Sequence, residues 1–214
     1  MLYYLIGRVA NKMTQTLSAQ FFQLAFEFPT TQTPLWHERV DRWYQLDALS
    51  FGLTQAVWTW SQDQQFQLST ALVLACPGAS NESDYAFASM GATSAQKFAH
   101  TLPNIRLSPV AQLMNWNGLS LCVQNDPNTL SVGLREAAGL AGVYGGSTLL
   151  SVFSGLALGI SAPYLAFGLN LNNAPRNKLP IFSVELDTAR DLNRPDAEVL
   201  PWLLGMVGGD FVTK

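Results

Sequence analysis

From Ala137 to Pro175 the chain carries no charged residue. Within that run Leu149–Leu171 is long and apolar enough that one helix built from it would span a bilayer. Gly155, Gly159, Pro163 and Gly168 break it at short intervals, and Ser151, Ser154 and Ser161 add polar interruptions. Charge-free segments punctuated in this way also describe successive strands covered on both faces of a sheet, which have no solvent side and need no polar alternation. The punctuation favours strands, at Leu149–Phe153 and Tyr164–Leu171, and no membrane span is expected.

Elsewhere strand and helix patterns alternate. Phe21–Phe28 reads as a strand, and Val40–Trp60 as the longest helix, with Leu46, Leu49, Leu53, Ala56, Val57 and Trp60 on one face. Gln67–Ala75 is a buried strand that ends in the turn Cys76-Pro77-Gly78. Asn81 and Ser83 are candidate caps for a helix running to His100. Ser108 and Pro109 then fit the cap and first position of a short helix ending near Asn117-Gly118. Leu119–Gln124 is a buried strand and Thr129–Val143 a helix stopped at Gly145-Gly146. Ile181–Leu186 is a strand that would form a hairpin with Tyr164–Leu171 across Asn172–Leu179, and Pro195–Val207 a terminal helix. The alternation places the chain in the α/β class. Its 214 residues suit one domain, 1–214, with 170–214 as a C-terminal extension.

Between the strand at Leu119 and the helix at Thr129 lies a tight elbow, Asn125-Asp126-Pro127-Asn128. Many α/β enzymes hold a nucleophile at such a turn, because it lifts a side chain clear of the backbone. This elbow contains no Cys or Ser. Asp126 is instead a candidate helix cap, a role that stabilises by about 0.5–2 kcal/mol.

Composition removes several functions. The net charge is −3 and the twelve basic residues form no cluster, so nucleic acid is not an expected partner. Arg39 and Arg42 lie close together but suit a solvated helix end. Charged residues make up 13% of the chain, about half the usual ~25%, which fits either a large partner-facing area or a surface of uncharged polar residues. Cys76 and Cys122 lie in separate apolar strands and read as buried free thiols rather than a disulfide or a metal site. With no signal-peptide pattern at the N-terminus, they suit a reducing cytoplasm. His37 and His100 both precede the elbow and read as structural. No dinucleotide, phosphate-loop or zinc pattern occurs, so neither cofactor nor metal is expected.

In order, the Asp41–Trp60 helix, TALVLACPG at Thr70–Gly78, Leu102-Pro103-Asn104, Gly118-Leu119-Ser120-Leu121 and Asn128-Thr129-Leu130 resemble the N-terminal half of a β-ketoacyl synthase, of the thiolase-fold superfamily. The resemblance covers Asp41–Phe153. It implies a thiolase-like layered α/β/α half, a mixed sheet with helices packed on it. It places the family's nucleophilic Cys on Asp126, or on Pro127 if the register slips by one, with Asn125 alongside. Neither is a thiol, and Cys122 comes too early. A full synthase is roughly twice as long and takes its catalytic histidines from the half that has no counterpart here.

The resemblance therefore implies a non-catalytic subunit of the chain-length-factor type, paired with an active ketosynthase or with a second copy. It would serve fatty acid, polyketide or aryl-polyene synthesis, with an acyl carrier protein as a further partner. Leu119, Leu121 and Val123 would then lie at the interface. Leu113, Met114 and Trp116 would line an acyl cavity, although such side chains also serve as plain core. The alternative is an acyl-thioester hydrolase or transferase, with Asp126 as base or nucleophile and Asn125 or Asn128 bonding an oxyanion.

Overall fold

The computed structural model describes residues 15–26, 28, 32–62, 71–78, 81–89, 102–124, 127–154, 164–172, 182–186 and 195–205. Six strands form one mixed sheet in the order β3-β2-β4-β5-β1-β6. The strands are β1 (Gln15–Phe26), β2 (Ala71–Ala75), β3 (Leu119–Val123), β4 (Gly146–Ser154), β5 (Tyr164–Asn172) and β6 (Phe182–Leu186). β3, β2 and β4 run parallel, whereas β5 is antiparallel to β4, β1 to β5, and β6 to β1.

The charge-free run contains the adjacent strands β4 and β5, paired from Gly146 opposite Asn172 to Ser154 opposite Tyr164. Their side chains divide between two layers. Leu149, Phe153, Leu165, Phe167, Leu169 and Leu171 join Val73 and Ala75 of β2 under helix α4 (Thr129–Tyr144). Leu150, Val152 and Ala166 join Leu72 and Leu74 on the other face. There they meet α1 (Ala48–Ser61) and α3 (Leu107–Met114). With both faces covered, β2 has no position for a polar residue, which accounts for its sequence ALVLA.

The polar groups inside the sheet are paired. Thr148 Oγ1 donates to Asn170 Oδ1 at 2.9 Å between directly opposed, buried residues. Ser151 Oγ donates to the Ala75 carbonyl at 2.7 Å, and Ser147 Oγ to the Ala137 carbonyl. A one-residue slip would separate Thr148 from Asn170 and turn the apolar set to the wrong face, so these bonds hold the register.

Four sequence expectations are corrected. β5 and β6 form no hairpin: β1 lies between them and is antiparallel to both, so they run parallel to each other. Nine of the twelve residues of β1 pair along the whole of β5, from Ser18 opposite Asn172 to Phe26 opposite Tyr164, and β6 has only five residues to offer. The helix expected from Val40 begins at Ala48. Two 3-10 turns, His37–Arg39 and Trp43–Gln45, precede it, and Arg42 between them is left-handed at φ 53° rather than a helix end. Asp47 sets the start of α1 by accepting the Ser50 N–H at 2.8 Å.

Ser108 is not a cap. A 3-10 turn at Pro103–Arg106 leads directly into α3 at Leu107, so Pro109 sits in the first turn, where its missing N–H has no intrahelical partner to lose. α3 ends at Met114 on a left-handed Asn115. Finally, α2 (Asn81–Ser89) already contains Asn81, which is therefore not its cap. Its expected continuation to His100 lies outside the described residues, as do 67–70 of the expected β2 strand. α4 ends as expected, on Gly145 at φ 81°. The last helix is α5 (Asp196–Gly205). Among the described residues no helix is long and apolar enough to cross a membrane.

α4 lies close to the sheet at Gly133, where an added Cβ would fall 2.6 Å from the Ala75 Cβ. Gly133→Val should therefore lift α4 from β2 and cost about 1–3 kcal/mol, read as a lower midpoint in thermal or denaturant unfolding.

Candidate functional site

The candidate site is the β3 strand, the elbow and the start of α4. Among the described residues β3 pairs only with β2, so it is an edge of the described sheet and not the buried strand that its composition suggests. Leu119, Leu121 and Val123 share one face by strand alternation. Val123 is buried in the α4 layer, but Leu119 and Leu121 are 46% and 37% exposed. Cys122 points to the other face and packs at the margin of the α1 layer. Trp116, just before the strand, donates from Nε1 to Ser120 Oγ at 3.2 Å.

At the elbow Pro127 is exposed, while Asn125 and Asp126 lie outside the described residues. The N-cap position of α4 is Asn128, two residues beyond Asp126, and its side chain makes no capping bond. The expectation that Asp126 is the cap is corrected accordingly. The cap comes from far along the chain: Asp196 Oδ1 accepts the Leu130 N–H at 2.7 Å. The Asp196 N–H in turn donates to the Pro127 carbonyl at 2.8 Å. Sequence reading missed this residue. Pro195-Asp196-Ala197-Glu198 marks the start of its own helix and carries no sign of a bond to a helix 66 positions earlier.

The side chains expected to line an acyl cavity lie on the α1 layer, across the sheet from α4. Leu113 is buried there, and Met114 and Trp116 are half-buried against the same cluster. They line no part of the cleft of about 310 Å³ formed by Val40, Arg42, Leu46, Ile105, Pro109 and Gln112. His37 is exposed, with Nδ1 2.9 Å from the Pro34 carbonyl oxygen, and His100 lies outside the described residues. Arg39 stacks over the Trp58 ring at 5.2 Å. Cys76 is buried and unbridged, as is half-buried Cys122. Among the described residues no cluster of His, Cys, Asp or Glu could hold a metal.

One charge lies deep in the α1 layer. The Arg106 side chain is fully buried, its Nη2 is 3.5 Å from Asp47 Oδ2, and its nitrogens have no hydrogen-bond partner among the described residues. Asp47 thus caps α1 with one oxygen and faces the guanidinium with the other. Burial pushes the Cys122 thiol above its ordinary range, and the charge of Arg106 partly opposes that shift. The thiol beside the elbow is therefore held protonated, the reverse of what a nucleophile needs.

Solved structures similar to this fold include two complexes. One is the ketosynthase (ApeO) in complex with its chain length factor (ApeC) from Xenorhabdus doucetiae; it matches with a TM-score of 0.58 and 14% identity, over 76% of this chain and 81% of that one. The other is the ishigamide ketosynthase/chain length factor, with a TM-score of 0.51 and 16% identity. The chain has a ketosynthase-like fold. The match to the ishigamide protein covers 66% of this chain and only about half, 48%, of that one. No family model matches the sequence, and no curated protein matches it.

Within this ketosynthase-like fold the thiol chemistry has a direct check. Iodoacetamide should modify Cys122 slowly at pH 7–8, with a pH midpoint above that of an ordinary cysteine, because only the thiolate reacts. Arg106→Met should raise the midpoint further by removing the favourable charge. Cys76 should react only on unfolding.

Proposed function

We propose that the chain is a non-catalytic ketosynthase-like subunit of the chain-length-factor type, which pairs with an active ketosynthase in polyketide or aryl-polyene synthesis. The observation that carries this reading is the β3 edge: an outer backbone with no strand partner among the described residues and two exposed leucines, beside an elbow whose sequence, Asn-Asp-Pro-Asn, has no thiol. An uncovered apolar edge strand is an aggregation hazard unless a partner covers it. Both similar structures are described as ketosynthase and chain length factor. The match spans most of both chains, 76% of this one and 81% of that one.

In this reading Leu119 and Leu121 meet the partner and Val123 anchors the strand from inside. Leu113, Met114 and Trp116 back the wall of an acyl cavity, and an acyl carrier protein delivers the chain to the partner's thiol. A low charge content suits an interface, whose centre is depleted in charged residues. A homodimer would use the same edge.

The deciding experiment is purification of the tagged chain from its native cell, with mass spectrometry and size-exclusion chromatography of what accompanies it. A stoichiometric, Cys-bearing ketosynthase supports the reading, and a stable monomer that ignores every ketosynthase offered to it removes the reading. In the complex, Leu121→Asp should weaken binding by at least about 2 kcal/mol, roughly thirtyfold in Kd. The side chain is exposed in the isolated chain, so the free subunit's melting temperature should change little.

A further inference from the structure

Among the described residues four buried side-chain atoms have no hydrogen-bond partner: Ser50 Oγ and the Nε, Nη1 and Nη2 of Arg106. Both residues adjoin one carboxylate. Asp47 Oδ1 accepts the Ser50 N–H at 2.8 Å, and Oδ2 stands 3.5 Å from Arg106 Nη2, an ion pair without a hydrogen bond. A guanidinium has five N–H donors and no acceptor, so only acceptor atoms satisfy it. Leaving such donors unmet in the interior is costly, and folded proteins rarely do so.

The same residues border a cleft. Ser50 lines it, as do Ile105, the chain neighbour of Arg106, and Pro109 in the first turn of α3. Its volume of about 310 Å³ is at the lower end of the range for small-molecule sites, about 300–1,000 Å³. Val40, Leu46, Ile105 and Pro109 supply an apolar wall, whereas Asp41 and Arg42 bring opposite charges that offset each other. A compact apolar body with an oxygen acceptor at one end matches this lining. Bonds from a guanidinium to a carboxylate are roughly twice as strong as those between neutral groups and form in bidentate geometry, which favours a carboxylate as that end.

We propose that the cleft binds a small aliphatic carboxylate, whose oxygens bond Ser50 Oγ and the Arg106 guanidinium while its apolar body rests on Val40, Leu46, Ile105 and Pro109. Arg106 turns toward Ser50 to make these bonds, a movement that breaks no hydrogen bond of its side chain. The site does not depend on the partner reading: a chain that stands alone could bind the carboxylate, and a chain that binds none could still pair with a ketosynthase.

The test is isothermal titration of the full chain with sodium hexanoate, with hexanamide and sodium acetate as comparison ligands. Hexanoate should bind at one site, more tightly than hexanamide, which lacks the charge, and than acetate, which lacks the apolar body. Ser50→Ala should weaken hexanoate about 2- to 12-fold, and Arg106→Met at least about tenfold. Ser108 is exposed and lines the cleft, so Ser108→Phe should fill the cleft and abolish binding with the fold intact.

The proposal is overturned if the parent shows no hexanoate binding up to about 10 mM, a Kd weaker than any specific small-molecule site would need. It is equally overturned if hexanamide binds as tightly as hexanoate, or if Ser50→Ala and Arg106→Met bind as the parent does. Should Arg106→Met fail to fold, Ser108→Phe and Ser50→Ala carry the test. Loss of binding in the first and weakening in the second support the site, and binding unchanged in both overturns it.

Discussion

β2, β4 and β5 are covered on both faces, by α4 on one side and by α1 with α3 on the other, and most of the molecule follows from that double burial. A strand with no solvent side must be apolar at every position or pair each polar group it carries. β2 takes the first course and β4 and β5 the second, through Thr148–Asn170 and the serine hydroxyls. The close approach at Gly133 and the stacking of Trp60 over Gly168 have the same origin, since helices that cover a sheet need small residues where backbone and ring come nearest.

Coverage stops at β3. α4 reaches Val123 and not Leu119 or Leu121, so the strand next to the elbow is half inside the fold and half outside it. An exposed apolar edge of this kind is a place where another chain can pair with a sheet. At the start of α4 beside this edge the Leu130 N–H is bonded by Asp196, and burial raises the pKa of the Cys122 thiol.

Arg106 and Asp47 show how much the α1 layer depends on one pair. A buried guanidinium with one carboxylate at 3.5 Å among the described residues gains little net stability from the pairing, yet loss of that partner would leave a less compensated charge in the interior. Because Asp47 also caps α1, the 3-10 turn before α3 and the start of α1 are tied through one side chain.

The sequence by itself determined the class of the fold and most of its elements. The glycine, proline and serine punctuation of the charge-free run favoured buried strands over one long helix, and β4, β5, α4 and the Gly145 stop followed from local pattern. Local pattern also showed that the elbow has no thiol, since that is a matter of residue identity. Tertiary structure decided what depends on distant partners. β1 displaced β6 from β5 because a long strand satisfies more backbone groups than a short one. Leu119 and Leu121 stood exposed because no element among the described residues covers that edge, although their composition matched that of a buried strand. The cap of α4 came from Asp196 rather than Asp126, because a carboxylate satisfies a helix N-terminus from wherever the chain returns, and periodicity in a sequence carries no record of that return.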